Sequence, residues 1–491
     1  MGETQDYLHR IGTVAEFTER YWGEDYHEPW VSRVDEDGDV EYNRRIDRDA
    51  LRLEVESAGT LYWRMSGNTS PGLARTVSYS LNGRPWVDVT SSASPEGIPL
   101  EAGDVIAFRG DNASYAFSGE TSGDRVWNCF SGSMGLKFRA AGNVMSLIDS
   151  VNFRKLRDFT ADFALMGLFR GCPQLTDVSG LRLPATGLTL GCYAYMFCDC
   201  GNLEGMTPYL PAVRMARSCY RSMWQNCVSL TSADIPEMPE GKVLDEKCFS
   251  NMFNGCAGLT DTVELPETTL AQDCYAYMYR DCVSLTGVTE LPATRVSPSA
   301  YFGMFMGCSA LVTPPALPAT SLGYSSYQEM FLGCSSLLNT PDLPATVLPS
   351  WCYHRMFQGC VSLTGAPRSI TVDRCVRTPS DNSCMQMQMM FQGCVALTAA
   401  PEIIFRTYPT PDVDSGLNSM FKGCSSLREI KVNFMPGNLS TTSSGGNDCA
   451  LWVEGVAASG TFHLPESLRG QTVRRDDGHV PTGWTVRYYQ D

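Results

Sequence analysis

From Leu168 to Leu427 the apolar positions return in blocks of near-constant length. Each block holds an aromatic residue, a Gly, Asn or Asp, then a Cys, and a Leu three residues further on. The Cys positions are 172, 200, 227, 256, 282, 308, 334, 360, 394 and 424, and their separation settles at 26 residues from Cys256 to Cys360. A fixed period of that size is the signature of a solenoid, here of about ten turns. In the copy LPATVLPSWCYHRMFQGCVSLTGAP, from Leu343 to Pro367, the residues Leu348, Cys352, Met356 and Phe357 fall at i, i+4, i+8 and i+9. That spacing predicts an amphipathic helix with Thr346 as its N-cap. The residue before each repeating Cys is Gly171, Asp199, Asn226, Gly255, Asp281, Gly307, Gly333, Gly359, Gly393 or Gly423. Only residue types that enter the left-handed region readily occur there, so the column is predicted to have positive φ and to close the helix as a C-cap. The Leu-Thr-x-x-x-x-Leu-Pro stretch that follows reads as a brief strand stopped by proline. One strand and one helix per turn predict an α/β solenoid, with a parallel sheet on one face and helices on the other.

Outside the repeats the period changes. Between residues 50 and 145 the runs LRLEVES, TLYWRM, RTVSYSLNGRPWVDV and DVIAFRG alternate apolar and polar residues, and Asn82-Gly83 between two of them is a type I′ hairpin signal. A small antiparallel, all-β sandwich is expected there. Residues 1–49 are acidic with Tyr21, Trp22, Tyr26 and Trp30 interspersed, which suits an ordered extension or a docking arm. The solenoid is assigned to 146–449. Its later turns, from 361, carry the insertion DRCVRTPSDNSCMQMQ and lose LPAT, so loops are expected to project there. Residues 450–491, with SGTFHLP and GWTVRYYQ as strand-like runs, would cover the last apolar turn.

Charge narrows the partners. The formal net charge of -16 repels nucleic-acid backbones and anionic membrane surfaces, and no run of Lys and Arg offsets it. Nor is there a run approaching the roughly 18 apolar residues of a membrane span. The first residues carry acids and no apolar core of a secretory signal, so assembly in the compartment of synthesis is expected. Twenty cysteines suggest at first a disulfide framework. Within clean repeats, however, pairs such as Cys352/Cys360 are eight apart, roughly 12 Å along a helix, whereas a disulfide tolerates about 7 Å between Cα atoms. Ala300 and Ser326 stand in for the first Cys of the pair in two copies, so the column reads as a ladder of small buried side chains. Reduced, buried thiols suit a cytosolic site of assembly.

Catalytic and metal motifs are sparse. The five His, at 9, 27, 354, 463 and 479, fit no HExxH, Cys-His or Ser-His spacing, and no Walker, GxSxG or GxGxxG element is present. Cys198 and Cys200 lie close together without a nearby His, Asp35, Asp37 and Asp39 alternate but lack the glycine of a calcium loop, and Arg109-Gly110-Asp111 reads as a turn after a strand. Asn68 and Asn112 head glycosylation triplets. No cofactor or metal is called for. A glycan-active enzyme stays open as a class, because paired carboxylates are spatial and not sequential.

The pattern MFxGCxSLTxxPxLPAT resembles BspA-type leucine-rich repeats, which occur in surface proteins of gut Bacteroidales and in structural proteins of their phages. The resemblance covers about Leu168 to Leu427. It implies an α/β leucine-rich-repeat solenoid and a non-enzymatic role in recognition or attachment. The residues preceding Leu-Pro or its equivalent are Tyr209, Glu237, Glu264, Glu290, Ala316 and Asp342, which on stacked strands would form a mostly acidic row facing a cationic or polyhydroxylated ligand. The reading is a virion appendage of a phage, assembled in the cytosol, that contacts a host surface glycan or protein and joins other virion proteins, or copies of itself, through its N-terminal region. The alternative is a bacterial cell-surface adhesin.

Overall fold

The structure is a computed structural model that describes residues 49–490 apart from 68–70, 119–124, 234, 236–243, 267–268, 378–384, 408–415 and 437–448. Alternation builds the first part. Strands β1 (Leu51–Ser57), β2 (Gly59–Gly67), β3 (Thr76–Leu81), β4 (Val87–Thr90), β5 (Ile98–Leu100), β6 (Val105–Arg109), β7 (Ala116–Ser118), β8 (Arg125–Gly132), β9 (Lys137–Asn143) and β10 (Leu175–Arg182) form two sheets. Their orders are β10-β9-β1-β6-β3-β4 and β5-β2-β8-β7. In β1 the residues Leu51, Leu53 and Val55 are buried while Arg52 and Glu54 between them are less so, the period of a sheet with one face inward. Phe108 of one sheet meets Phe130 of the other with ring centroids 4.7 Å apart. Asn82 and Gly83 both have positive φ and close β3 onto β4.

The repeat region differs from the α/β solenoid predicted above. Among the described residues strands make up 26% and helical residues 3%, and no α-helix is present. Where a helix was expected, each turn carries a ribbon of overlapping tight turns. In one ribbon the N–H groups of Ala194, Met196, Cys198 and Cys200 donate to the carbonyls three residues back, at 3.1–3.2 Å. The alternate N–H groups, of Tyr193, Tyr195, Phe197 and Asp199, donate sideways to Cys219, Arg221, Met223 and Gln225 of the next turn, at 2.8–3.0 Å. Half the donors that an α-helix would use along its own axis therefore tie neighbouring turns together.

The reason lies in the period. Gly191, Tyr195 and Asp199 have φ of 59°, 58° and 64°, a left-handed residue at every fourth position that no α-helix accommodates. Side chains spaced by four drift about 40° per step around an α-helix. In the ribbon they return to the same side, and Cys192, Met196 and Cys200 are all fully buried. All ten residues of the Gly/Asn/Asp column do have positive φ, from 57° to 78°, but as the last of the left-handed positions in each ribbon and not as helix caps.

The expected strand and helix start also shift. Glu264, Glu290 and Asp342 lie in segments without strand structure. Pro314, Pro315, Pro318, Pro341 and Pro344 bring no N–H to a ladder there. In the middle turns parallel strand pairing comes later, as β11 (Arg295–Val296) on β12 (Ser321–Leu322), and β13 (Val347–Pro349) on β15 (Arg374–Val376). The strand β14 (Ser369–Val372) pairs with β16 (Glu402–Phe405). Thr346 caps no helix, since it precedes β13 and its hydroxyl donates to the Asp373 carboxylate at 2.7 Å. The chain ends in three parallel strands, β17 (Glu429–Lys431), β18 (Thr461–Pro465) and β19 (Thr485–Tyr489).

Two columns of rings fill the interior. One runs Tyr193, Tyr220, Phe249, Tyr275, Tyr301, Tyr327, Tyr353 with centroids 5.8–6.2 Å apart. The second begins at Phe130 of the sandwich, stacks on Phe169, and proceeds one ring per turn to Phe421 and Trp452. Since β10 also extends the sandwich sheet in parallel with β9, sandwich and solenoid share one core.

Candidate ligand-binding face

One edge of the solenoid is built by the residues that follow each repeating Cys. Leu265, Leu291, Leu317 and Leu343 are buried, and the residue before each of them, Glu264, Glu290, Ala316 and Asp342, is exposed. Tyr209 is likewise exposed ahead of buried Leu210. Glu237 lies outside the described residues. Thr289 clamps two turns by donating its hydroxyl to Val263 O at 2.9 Å and its N–H to the Thr262 hydroxyl at 2.8 Å, so Glu264 and Glu290 follow on neighbouring turns. Neither carboxylate is in an ion pair among the described residues. Ala316 and Asp342 share a groove of about 370 Å³ that Pro314, Pro315, Pro318, Pro341 and Pro344 also line. Gly287 leaves room on this edge for the carboxylate of Asp261 from the turn before, which a Cβ there would push aside.

Further along the same edge a second cleft, of about 400 Å³, opens over the C-terminal strands between Thr398, Ala399, Arg428, Glu429, Thr461, His463 and Arg487. His463 Nε2 lies 3.2 Å from Glu429 Oε1. Sequence reasoning left these residues unassigned. They come from four segments with no common spacing, and no periodic signal links them.

The other singled-out motifs are absorbed by packing. Arg109 lies over the Trp86 ring, 4.2 Å from its centroid, and Asp111 accepts from the Ser150 N–H and hydroxyl. Asn112 donates to Thr76 O and to the Tyr115 hydroxyl. The Cys200 thiol donates to Phe169 O and the Cys198 thiol to the Asp199 carboxylate. Among the described residues no group of three or more His, Cys, Asp or Glu is placed to hold a metal, and no helix is long and apolar enough to cross a membrane. Asp35, Asp37, Asp39, Asn68, His9 and His27 lie outside the described residues. His354 is buried, and its burial next to Arg355 pushes its pKa down to about 4.

No protein-family model matches the chain, and no curated protein is similar to it. Among solved structures, a leucine-rich repeat protein from Bacteroides ovatus is similar at 16% identity and a TM-score of 0.32, over 76% of this chain and 90% of that one. A superposition that loose carries no inference about activity or partner.

Proposed function

We propose that the chain is a non-enzymatic recognition protein that binds an extended ligand along this edge, and more specifically a phage virion appendage that contacts the host surface. The observation that carries the binding role is the groove that Ala316 and Asp342 share with five prolines. A proline lining is rigid before the ligand arrives, so little conformational entropy is lost on binding. The exposed carboxylate of Asp342 in that groove, with those of Glu264 and Glu290 on earlier turns, suits cationic or polyhydroxylated ligands. Support for assembly in a reducing compartment comes from the described cysteines, which are all buried in the repeat and sandwich cores. In this reading host-surface glycan or protein is the partner, and the N-terminal region joins the chain to the particle.

The test changes Glu237, Glu264 and Glu290 to Gln and Asp342 to Asn in one variant. Attachment of the purified protein to host cells is expected to fall at least tenfold, with the circular dichroism spectrum unchanged because the three described positions lie outside the core. Full attachment by a folded variant would move the binding surface off this row.

A further inference from the structure

The C-terminal cleft has a charge pattern opposite to that of the chain as a whole. The register of β17, β18 and β19 aligns Lys431, His463 and Arg487 in one row and Glu429, Thr461 and Thr485 in the next. Buried Ile430, Phe462 and Leu464 alternate with these rows, so the rows face outward. Lys431 is taken up by Glu402, at 2.9 Å, and by the Tyr489 ring, 4.4 Å from its centroid. Glu429 is engaged by His463. That leaves Arg428 and Arg487, both exposed and lining the same cleft, in no ion pair among the described residues. On a chain of net charge -16 with 54 acidic residues, two guanidinium groups that face one cleft without a carboxylate of their own are a conspicuous pairing.

We propose that this cleft is an anion site for the carboxylate of an acidic sugar. Guanidinium is the side chain whose planar fork of N–H donors matches a carboxylate in two-point contact. Thr398 and Thr461, which flank Arg428 through backbone hydrogen bonds, also line the cleft, and a threonine hydroxyl can donate to or accept from a sugar hydroxyl. A volume of about 400 Å³ is at the small end for ligand pockets and suits one sugar ring better than a peptide segment. Glu429 also lines the cleft and opposes an anion, and its Oε1 lies 3.2 Å from His463 Nε2. The site extends the face described above but does not depend on its acidic row.

Calorimetric titration of the full chain with sodium glucuronate tests the proposal, with glucose as the neutral counterpart and sulfate as a bare oxyanion. Saturable glucuronate binding is expected, with glucose and sulfate each at least tenfold weaker. The double variant Arg428→Gln/Arg487→Gln should lose at least tenfold in glucuronate affinity, and Arg487→Lys, which keeps charge but loses the fork, should lose several-fold. Unchanged thermal unfolding of these variants shows that the fold is intact. Absence of glucuronate binding, equal binding of glucose, or an unaffected double variant would overturn the site, and sulfate binding as tightly as glucuronate would overturn the sugar. The variant with the acidic row neutralised should keep full glucuronate affinity, and its loss would overturn the placement in this cleft.

Discussion

In nine successive turns, from Cys200 to Cys424, the repeating thiol donates to the carbonyl of the aromatic residue one turn back, at 3.0–3.2 Å. Alanine or serine fills the space of the other Cys column, but this column uses the S–H itself. Burial pushes the thiols of Cys282 and Cys360 up to about 12. A group whose folded pKa is raised contributes its full stability below the unfolded value, near 9, and loses it as pH rises towards the folded one. Each such thiol costs about 1.4 kcal/mol per pH unit in that window. Urea midpoints are therefore expected to hold to about pH 9 and then collapse by pH 10, and an unchanged midpoint at pH 10 would contradict a buried ladder. His354 acts in the opposite direction. Its pKa is lowered to about 4 by burial and by Arg355, so its contribution is present above the ordinary value of 6.5 and is lost as pH falls through 4. The window is worth on the order of 3 kcal/mol. Replacing His354 with Gln, the residue at the equivalent place in the turns on either side, Gln328 and Gln388, should flatten the acid limb of stability between pH 6.5 and 4 without shifting the alkaline one.

At the level of the element, a left-handed position is a sharper constraint than a hydrophobic stripe. Gly333 has φ of 75°, and a Cβ there would meet nothing closer than the Cα of Gly307 at 4.0 Å. The cost of Gly333→Val is thus backbone strain without collision, on the order of 1 to 3 kcal/mol. Hydrogen exchange should accelerate first around residues 325–345, and equal exchange there in variant and parent would show that the column tolerates side chains. This column and the Asn82-Gly83 turn were legible because Gly, Asn and Asp are selected by sterics that act within one residue. The expected helix is absent, and an apolar face alone does not distinguish this ribbon from an α-helix. Cys352, Met356 and Cys360 keep a spacing of four in copy after copy, and a helical stripe would mix threes with fours. Tyr195, Glu329, Arg355 and Leu451 also take positive φ, and nothing in those residue types announces it. Tyr195, Glu329 and Arg355 are held there by lateral N–H bonds to the next turn, which no single copy contains. The exposure of Glu264, Glu290 and Asp342 follows from the Leu-Pro rhythm, whereas the basic cleft has no such signal, because Arg428, His463 and Arg487 meet only when the last turn and the cap are folded together.

Over the whole molecule, stability should run along the stack. The ring column starts at Phe130 in the sandwich and ends at Trp452, where the ring tilts 53° from Phe421 and is crossed edge-on by Phe462. Turns in such an array touch only their neighbours, so damage at one end propagates inward and stops where the remaining interfaces outweigh it. Trp484 belongs to the closing unit, being 2% exposed with its indole N–H donated to Ala457 O at 2.7 Å. Trp484→Ala opens a cavity under β19 at a cost of roughly 3 to 5 kcal/mol. Protection from hydrogen exchange should then be lost from the C-terminal strands towards Cys424, while the sandwich and the turns before Cys334 stay as protected as in the parent. Phe305→Ala, in the middle of the stack, should instead weaken turns on both sides of it. If Trp484→Ala lowered protection evenly from Leu51 to Tyr489, the chain would be a single cooperative unit, and the shared core of sandwich and solenoid would outweigh the nearest-neighbour character of the repeats.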